Sequence, residues 1–350
     1  MDQPTAGWPD LLLAEHEITT RGPLLADDGT LVEPGWARRP LRDANLERAA
    51  PGLLRRLRIK RWDYYGVWTP QWFASATLSH VGYLGLAFVY VVDLRDGRIV
   101  GDTRMRPFGR GMDLPRNSDS GNIAYDDGRV HLAFDLTPDA RHVYAADAAF
   151  DGGRGLTIDV RLATPPSHDS IVMCTPMGGD CFFYNRKLNG LRASGTVTWA
   201  GQSASALFGQ LDWGRGVWPY RSHWLWASAN GRAADGRIIG LNLGAGFGDL
   251  HRGTENALFI DGRLHKLGAV TFDCDSRDYT RPWRLRDDAG RLDVTLTVSA
   301  ERVDGSNVGV LRSEVHQCFG RYAGHVVSDT GERLLLTDLP GFAEEHHARW

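Results

Sequence analysis

Short stretches rich in apolar and β-branched residues alternate with turn sequences from residue 60 to the end of the chain. Val130–Leu136 and Leu156–Leu162 alternate apolar with polar positions, and Leu84–Val92 is a continuous apolar run of strand length. Asp-Gly turns such as Asp261-Gly262 separate these stretches, and no helical period is sustained. Evenly spaced short strands of this kind predict an all-β chain of antiparallel sandwiches or barrels.

Breaks in the pattern divide the chain into three parts. Residues 1–59 are irregular and contain several prolines, so we expect them to wrap over a domain surface. The proline-containing stretch 164–169 places a boundary near residue 170. The prediction is therefore a first β-barrel-like half over 60–170 and a second over 171–345, with the candidate site in the second half.

Composition removes several classes of function. The 350 residues carry a net charge of -3 without a basic run, so we expect no nucleic-acid partner. No apolar run approaches the roughly 18 residues of a membrane span, so no integral membrane segment is expected. The first residues lack the charged and apolar regions of a secretory signal, which makes a cytoplasmic protein the expectation. The composition leaves a homodimer open.

The sequence predicts neither a metal site nor a cofactor. His346 and His347 are adjacent and would point to opposite sides of an extended chain, so they are expected in a disordered tail. The glycine-rich stretch 244–248 lacks the helix start that a dinucleotide loop requires. A bend that lets a ligand or a neighbouring strand approach closely is the preferred interpretation of these glycines.

Aromatic and polar side chains are concentrated in residues 207–261. Tryptophan offers a large apolar face with one polar tip, a common combination in ligand pockets. The candidate ligand-binding residues of this segment are Trp213, Arg215, Trp218, Trp224, Trp226, Glu255 and Asn256.

Further candidate ligand-binding residues lie outside that segment. Lys187 is one of very few lysines among 40 basic residues, so it is a candidate for a role that needs an ammonium, and Asn185 stands beside it in the sequence. Trp62 and Tyr64 fall on one side of a predicted strand, where they either line a pocket or fill the core.

Asp212 is the candidate general acid. It stands between two apolar residues where a predicted strand leads into a glycine-containing turn. A carboxyl group that is desolvated against indole rings has a raised pKa and can donate a proton near neutrality. The alternative is that Asp212 caps the turn or pairs with Arg215 or Arg221. The other candidates for proton transfer or substrate orientation are Tyr220, His223 and His251.

Several motifs carry a family resemblance. The segments IKRWDYYGVW, FYNRKLNGL, LDWGRGVWPYRSHWLWASA and TENALFIDGRLHKL resemble the bacterial family known as domain of unknown function 2804, over nearly the whole chain. That family has no established activity. A more distant resemblance, carried by FGQLDWGRGVWPY, is to the tandem lipocalin-like proteins that include carotenoid 1,2-hydratase, tocopherol cyclase and the AttH-like group. It implies two tandem lipocalin-like barrels with Asp212 in the acid position, although Trp213 stands where those proteins carry histidine.

Two functions follow as hypotheses. The first is an enzyme that hydrates, cyclises or isomerises an apolar unsaturated small molecule without a cofactor. The second is a non-catalytic carrier of a hydrophobic small molecule or lipid. An enzyme predicts an unpaired Asp212 near an aromatic wall, whereas a carrier predicts Asp212 ionised and paired with arginine.

Overall fold

The computed structural model describes residues 15–49, 56–308 and 311–349. Nearly all regular structure in these residues is β-strand, and the helical segments are a turn at Phe150–Gly153 and a 3-10 helix at Leu250–Arg252. None of the described helices is long or apolar enough to span a membrane. The all-β prediction is therefore confirmed. Residues 1–14 and 50–55, which belong to the expected N-terminal wrap, lie outside the described residues.

The strands are numbered β1 to β24 in chain order. They are β1 (Gly22–Pro23), β2 (Gly35–Ala37), β3 (Arg42–Asp43), β4 (Ile59–Trp68), β5 (Trp72–His80), β6 (Leu84–Asp93), β7 (Ile99–Pro107), β8 (Ile123–Asp126), β9 (Val130–Thr137), β10 (Ala140–Asp147), β11 (Leu156–Ala163), β12 (Ile171–Pro176), β13 (Phe182–Trp199), β14 (Gln202–Ser205), β15 (Phe208–Val217), β16 (Arg221–Arg232), β17 (Ile238–Ala245), β18 (Ala257–Ile260), β19 (Arg263–Lys266), β20 (Val270–Asp273), β21 (Trp283–Asp287), β22 (Leu292–Val308), β23 (Leu311–Val327) and β24 (Arg333–Arg349).

The first half of the molecule is one curled antiparallel sheet in the order β7-β6-β5-β4-β15-β13-β11-β10-β9-β8. Strand β13 holds it together, because its first part pairs with β12 and β15 and its second part with β11 and β14. The register shifts between Leu188 and Leu191, at the junction of the two parts. Arg104 of β7 reaches Asp127, next to β8, at 2.6 Å, so the two ends of the sheet meet through side chains.

The second half is a curled antiparallel sheet in the order β19-β18-β17-β16-β24-β23-β22-β21-β20. Its curvature brings β20 back to β17. Strand β24 lies in the interior of this sheet, paired with β16 on one side and β23 on the other. The expectation of a disordered tail at His346 and His347 is therefore wrong, since cross-strand pairing orders this segment.

The chain passes from the first sheet to the second at residues 218–220, between β15 and β16, and not near residue 170. The proline-containing stretch 164–169 joins β11 to β12, and both of these strands pair with β13. Its neighbourhood is held by backbone hydrogen bonds, including Ser170 N to Arg38 O at 2.9 Å and Asp169 N to Gly262 O at 2.8 Å. Prolines in a tight connection produce the same sequence pattern as an interdomain linker, which explains the misplaced boundary.

The two halves pack on each other through a shared aromatic cluster. Trp68, Phe73 and Tyr90 of the first sheet meet Phe319 and Phe342 of the second, with ring centroids between 5.1 and 6.4 Å apart across the interface. Large aromatic rings contribute strongly to burial energy, so this cluster fixes the halves relative to each other. A cavity opens beside it.

Candidate functional site

The cavity lies between the two sheets and has a volume of about 530 Å³. Its first wall comes from β4 to β7, β13 and β15, and its second wall comes from β16, β22, β23 and β24. The sequence placed the candidate site in the second half, and the cavity draws on residues of both halves. The described residues of both curled sheets enclose this space where the sheets face each other.

Strand alternation decides which side chains reach the cavity. Successive residues of a strand point to opposite faces. Lys187, Asp212, Tyr64 and Thr77 are direct cross-strand neighbours on β13, β15, β4 and β5, and all four line the cavity. The neighbouring cross-strand row contains Asn185, Gly214, Trp62 and Ser79.

Lys187 forms the charged centre of the first wall. Its Nζ lies 2.8 Å from Asp212 Oδ1 and 3.8 Å from Glu255 Oε2, and it sits 4.3 Å from the centroid of the Trp226 ring. Burial lowers the pKa of Lys187, but the two carboxylates outweigh this effect and leave the pKa above its ordinary value. Asp212 is thus paired, although with a lysine and not with an arginine.

Glu255 reaches this centre because position 244 is glycine. Burial raises the pKa of Glu255 above its usual value, although Lys187 opposes this change, and Asn185 Nδ2 donates to Glu255 Oε2 at 2.7 Å. A Cβ atom at Gly244 would lie 2.3 Å from Glu255 Oε1. The glycine-rich stretch therefore makes room for a side chain of the site.

Glu344 on β24 is a cavity carboxyl group whose hydrogen-bond partners differ from those of Asp212 and Glu255. It is 7% exposed and lines the cavity, and it accepts hydrogen bonds from Trp224 Nε1 at 3.1 Å and Gln317 Nε2 at 3.0 Å. Both donors are neutral. Burial raises the pKa of Glu344 to about 7, although the Trp224 hydrogen bond and the charges of Arg302 and Lys187 oppose this change. A carboxyl group with such a pKa can hold or release a proton near neutrality.

A chain of hydrogen bonds joins Glu344 to the first sheet. Tyr64 and Tyr90 share a hydrogen bond of 2.9 Å between their hydroxyl groups, and the Tyr90 hydroxyl donates to Gln317 Oε1 at 3.0 Å. Burial raises the pKa of Tyr90 to about 12 and that of Tyr64 well above its ordinary value, so both phenols stay protonated. The chain holds Gln317 in the orientation that donates to Glu344.

Aromatic rings form the apolar part of the cavity. Trp218 meets Trp62 at 4.7 Å and Phe247 at 4.9 Å between ring centroids, and Phe247 meets Trp224 at 5.1 Å. All of these residues line the cavity. Apolar walls with a few convergent polar groups are typical of small-molecule sites.

A family model described as domain of unknown function 2804 matches residues 15–350. The chain belongs to this family. Comparison with curated proteins finds no match.

Three solved structures are similar to this chain. A candidate AttH from Nitrosomonas europaea has 15% identity and a TM-score of 0.51, over 84% of this chain and 93% of that one. Kievitone hydratase from Nectria haematococca has 9% identity and a TM-score of 0.43, over 83% and 88%. CghA, solved with Sch210972, has 11% identity and a TM-score of 0.41, over 83% and 88%. The first similarity shows that this chain shares the fold of that structure, with its two curled antiparallel sheets in tandem.

Most of the ligand-binding residues expected from the sequence lie around the cavity. They are Trp62, Tyr64, Asn185, Lys187, Trp218, Trp224, Trp226 and Glu255, together with the candidate acid Asp212. Sequence reasoning missed the contributions of β6 and β22 to β24, which include Tyr90, Arg302, Gln317 and Glu344. The alternation of Glu344 and His346 with Glu345 and His347 is the signal that identifies the cavity face of β24.

Three other ligand-binding candidates are buried elsewhere. Trp213 and Arg215 alternate with Asp212 along β15, so they face the core of the first half, where Arg215 pairs with Asp63 at 2.8 Å. Asn256 accepts from Gly244 N at 2.7 Å and donates to Gly268 O at 2.8 Å. These contacts hold the fold around the cavity.

The three candidates for proton transfer or orientation besides Asp212 lie away from the cavity lining. Tyr220 is 48% exposed in the connection between the sheets. His223 is on the outer face of β16, where its Nε2 lies 2.8 Å from Glu345 Oε1. His251 is exposed in the 3-10 helix. His223 directly precedes Trp224 on β16, so its side chain points to the opposite face of the strand and lies outside the cavity lining.

Gly214→Ala should displace Trp62. A Cβ atom at position 214 would lie 2.2 Å from the Trp62 indole. We expect a loss of about 1–3 kcal/mol in the free energy of unfolding, because overpacking forces side chains from their preferred positions. Urea unfolding measures this loss, and near-UV circular dichroism reports the disturbed tryptophan contacts. Gly305→Ala is the control, since its Cβ would meet its nearest atom at 3.5 Å. Equal stability and spectra for both variants would contradict the prediction.

Proposed function

We propose that this protein is an enzyme that protonates an apolar unsaturated small molecule and thereby hydrates, cyclises or isomerises it. Its own carboxyl groups would supply the acid and the base. The observation that carries the proposal is Glu344, a buried carboxyl group in the cavity wall, held by two neutral donors. This is the environment that general acids require near neutral pH.

Each reaction would begin with one proton transfer. The Glu344 carboxyl group gives its proton to one carbon of a C=C bond, so a new C–H bond forms and the other carbon becomes cationic. The face of Trp224 can stabilise this positive charge.

The steps that follow distinguish the three outcomes. In hydration, water bonds to the cationic carbon and returns a proton to the Glu344 carboxylate. In isomerisation, a neighbouring C–H bond breaks, its electron pair forms the shifted C=C bond, and the proton goes to the Glu344 carboxylate. In cyclisation, another C=C bond of the same molecule attacks the cation, and the new cation then loses a proton to the same carboxylate. Asp212 is a second acceptor, because a carboxylate paired with an ammonium accepts and does not donate.

A carrier is the second candidate, and the Asp212–Lys187 contact is the observation that favours it. A paired Asp212 is what the carrier hypothesis expects, with a lysine in place of the arginine. In that case the charged centre would only orient a polar group of the ligand, and the aromatic wall would hold its apolar body.

Incubation in heavy water distinguishes the two candidates. The purified protein would be mixed with a panel of conjugated alkenes and with any molecule extracted from it, and the products analysed by mass spectrometry. An enzyme that protonates carbon leaves deuterium on carbon or adds heavy water, and the heat-denatured protein does neither. A bound molecule that is released without deuterium on carbon, while the whole panel stays unchanged, would support the carrier.

A further inference from the structure

We propose that the molecule bound in this cavity carries a neutral hydroxyl group on a flat conjugated skeleton, as a phenol or an enol, and that this hydroxyl donates to Asn185 Oδ1. The inference rests on the proposed function only in that the cavity binds a conjugated small molecule. It does not depend on turnover.

Asn185 supplies the acceptor. The residue is 1% exposed and lines the cavity, and its Oδ1 has no hydrogen-bond donor among the described residues. Its Nδ2 donates to Glu255 Oε2 at 2.7 Å. This contact fixes the amide orientation, because a reversed amide would set two acceptor oxygens against each other. A buried acceptor without a donor is costly, so a ligand that brings a donor gains affinity.

Thr77 provides a second buried side-chain oxygen that can bind a polar group of the ligand. It is 2% exposed and lines the cavity, and its Oγ1 has no hydrogen-bond partner among the residues that the structure describes. Thr77 and Lys187 stand in the same cross-strand row, separated by Tyr64 and Asp212. A second polar group of the ligand can therefore be bound along this wall.

The charges around Asn185 select a neutral donor over an anion. Lys187 stands between Asp212 at 2.8 Å and Glu255 at 3.8 Å, so its positive charge is already matched by carboxyl groups. A carboxylate or phosphate group of a ligand would meet these two acidic side chains and be repelled. A hydroxyl group can donate to Asn185 without adding charge.

The aromatic walls select a flat skeleton. Trp62, Trp218, Trp224 and Phe247 contact one another at 4.7 to 5.9 Å between centroids and line the same cavity as Asn185. Flat π-systems pack on such rings in stacked or edge-to-face arrangements. A conjugated ring that bears the hydroxyl satisfies both parts of the cavity.

Two probes that differ only at the donor test the inference. trans-4-Hydroxystilbene has the hydroxyl, and trans-4-methoxystilbene replaces its proton by a methyl group. Their Kd values would be measured by quenching of tryptophan emission in the Glu344→Gln background, which is expected to slow turnover. We expect the hydroxyl probe to bind about tenfold more tightly, the effect of one additional hydrogen bond. Equal affinities, or no binding of the hydroxyl probe, would overturn the inference.

Variants of Asn185, compared with a variant of a neighbouring lining residue, locate the acceptor. Asn185→Leu should reduce the preference for the hydroxyl probe to about twofold or less, because it removes the acceptor. Asn185→Ala serves the same purpose if the leucine variant does not fold. Ser79→Ala is the matched control, since it removes a lining hydroxyl group in the same cross-strand row and leaves the Asn185–Glu255 pair unchanged. Loss of the preference in Ser79→Ala but not in the Asn185 variants would overturn the assignment. If the hydroxyl probe still binds more tightly than the methoxy probe, but the heavy-water experiment shows no turnover, only the proposed enzymatic activity is rejected.

Discussion

Lys187→Met is expected to lower the free energy of unfolding by about 3–5 kcal/mol near pH 8. Methionine keeps most of the volume of the lysine side chain but removes the ammonium between Asp212 and Glu255. Two carboxyl groups would then face each other in a buried site without a cation. Because the packing is largely preserved, the loss measures the electrostatic role of Lys187.

The stability difference should depend on pH. Without the ammonium, burial raises the pKa of Glu255 in the folded variant further above its value in the unfolded chain, because the opposing charge of Lys187 is gone. The folded variant then binds protons more tightly than the unfolded one, so its stability deficit is largest at high pH and shrinks as the pH falls. Urea unfolding at several pH values measures this trend.

A double variant provides the control for this prediction. Adding Asp212→Asn to Lys187→Met removes one of the two buried charges, so part of the lost stability should return. A loss below about 1 kcal/mol in Lys187→Met would contradict a buried charged centre, because exposed ion pairs contribute about that much or less. The same result would weaken the assignment of Asp212 as a carboxylate acceptor.

Strand alternation was the part of the site that the sequence could predict. Trp62 and Tyr64 were placed on one side of their strand, and both line the cavity. The same rule, applied to β15, separates Asp212 from Trp213 and Arg215, which face the core. Composition alone had grouped these three residues, because it counts neighbours in sequence without regard to the face on which they stand.

Pairing between distant strands was the part that could not be predicted. Glu344 belongs to the site because β24 pairs with β16, which places it directly opposite Trp226. Nothing local in the C-terminal sequence indicates this partner, and its charged and histidine-rich composition is also typical of a tail. The boundary near residue 170 was misplaced for a related reason, since the partner of both flanking strands is the later strand β13.

Glu344→Gln is expected to lower the turnover of a conjugated substrate by about 10²–10⁴-fold, the usual contribution of a general acid. Glutamine keeps the shape of the side chain and can still accept a hydrogen bond from Trp224, but its amide has no acidic proton to transfer to the substrate at neutral pH. Rates of deuterium incorporation in heavy water measure the effect. Glu345→Gln is the matched control, because the next residue of β24 points to the opposite face and bonds Tyr279 and His223.

The pH profile tests the same assignment by an independent route. Burial raises the pKa of Glu344 to about 7, and the reactive form is the protonated acid. The rate should therefore be highest at mildly acidic pH and fall as the pH rises through about 7. The raised pKa also means that Glu344 stabilises the folded state below its unfolded pKa, and this stabilisation is lost as the pH rises through the folded value. Glu344→Gln removes that loss, so the variant should gain stability relative to the wild type above pH 7. A Glu344→Gln variant that retains wild-type turnover, with its rate still falling near pH 7, would assign the proton donor to another group.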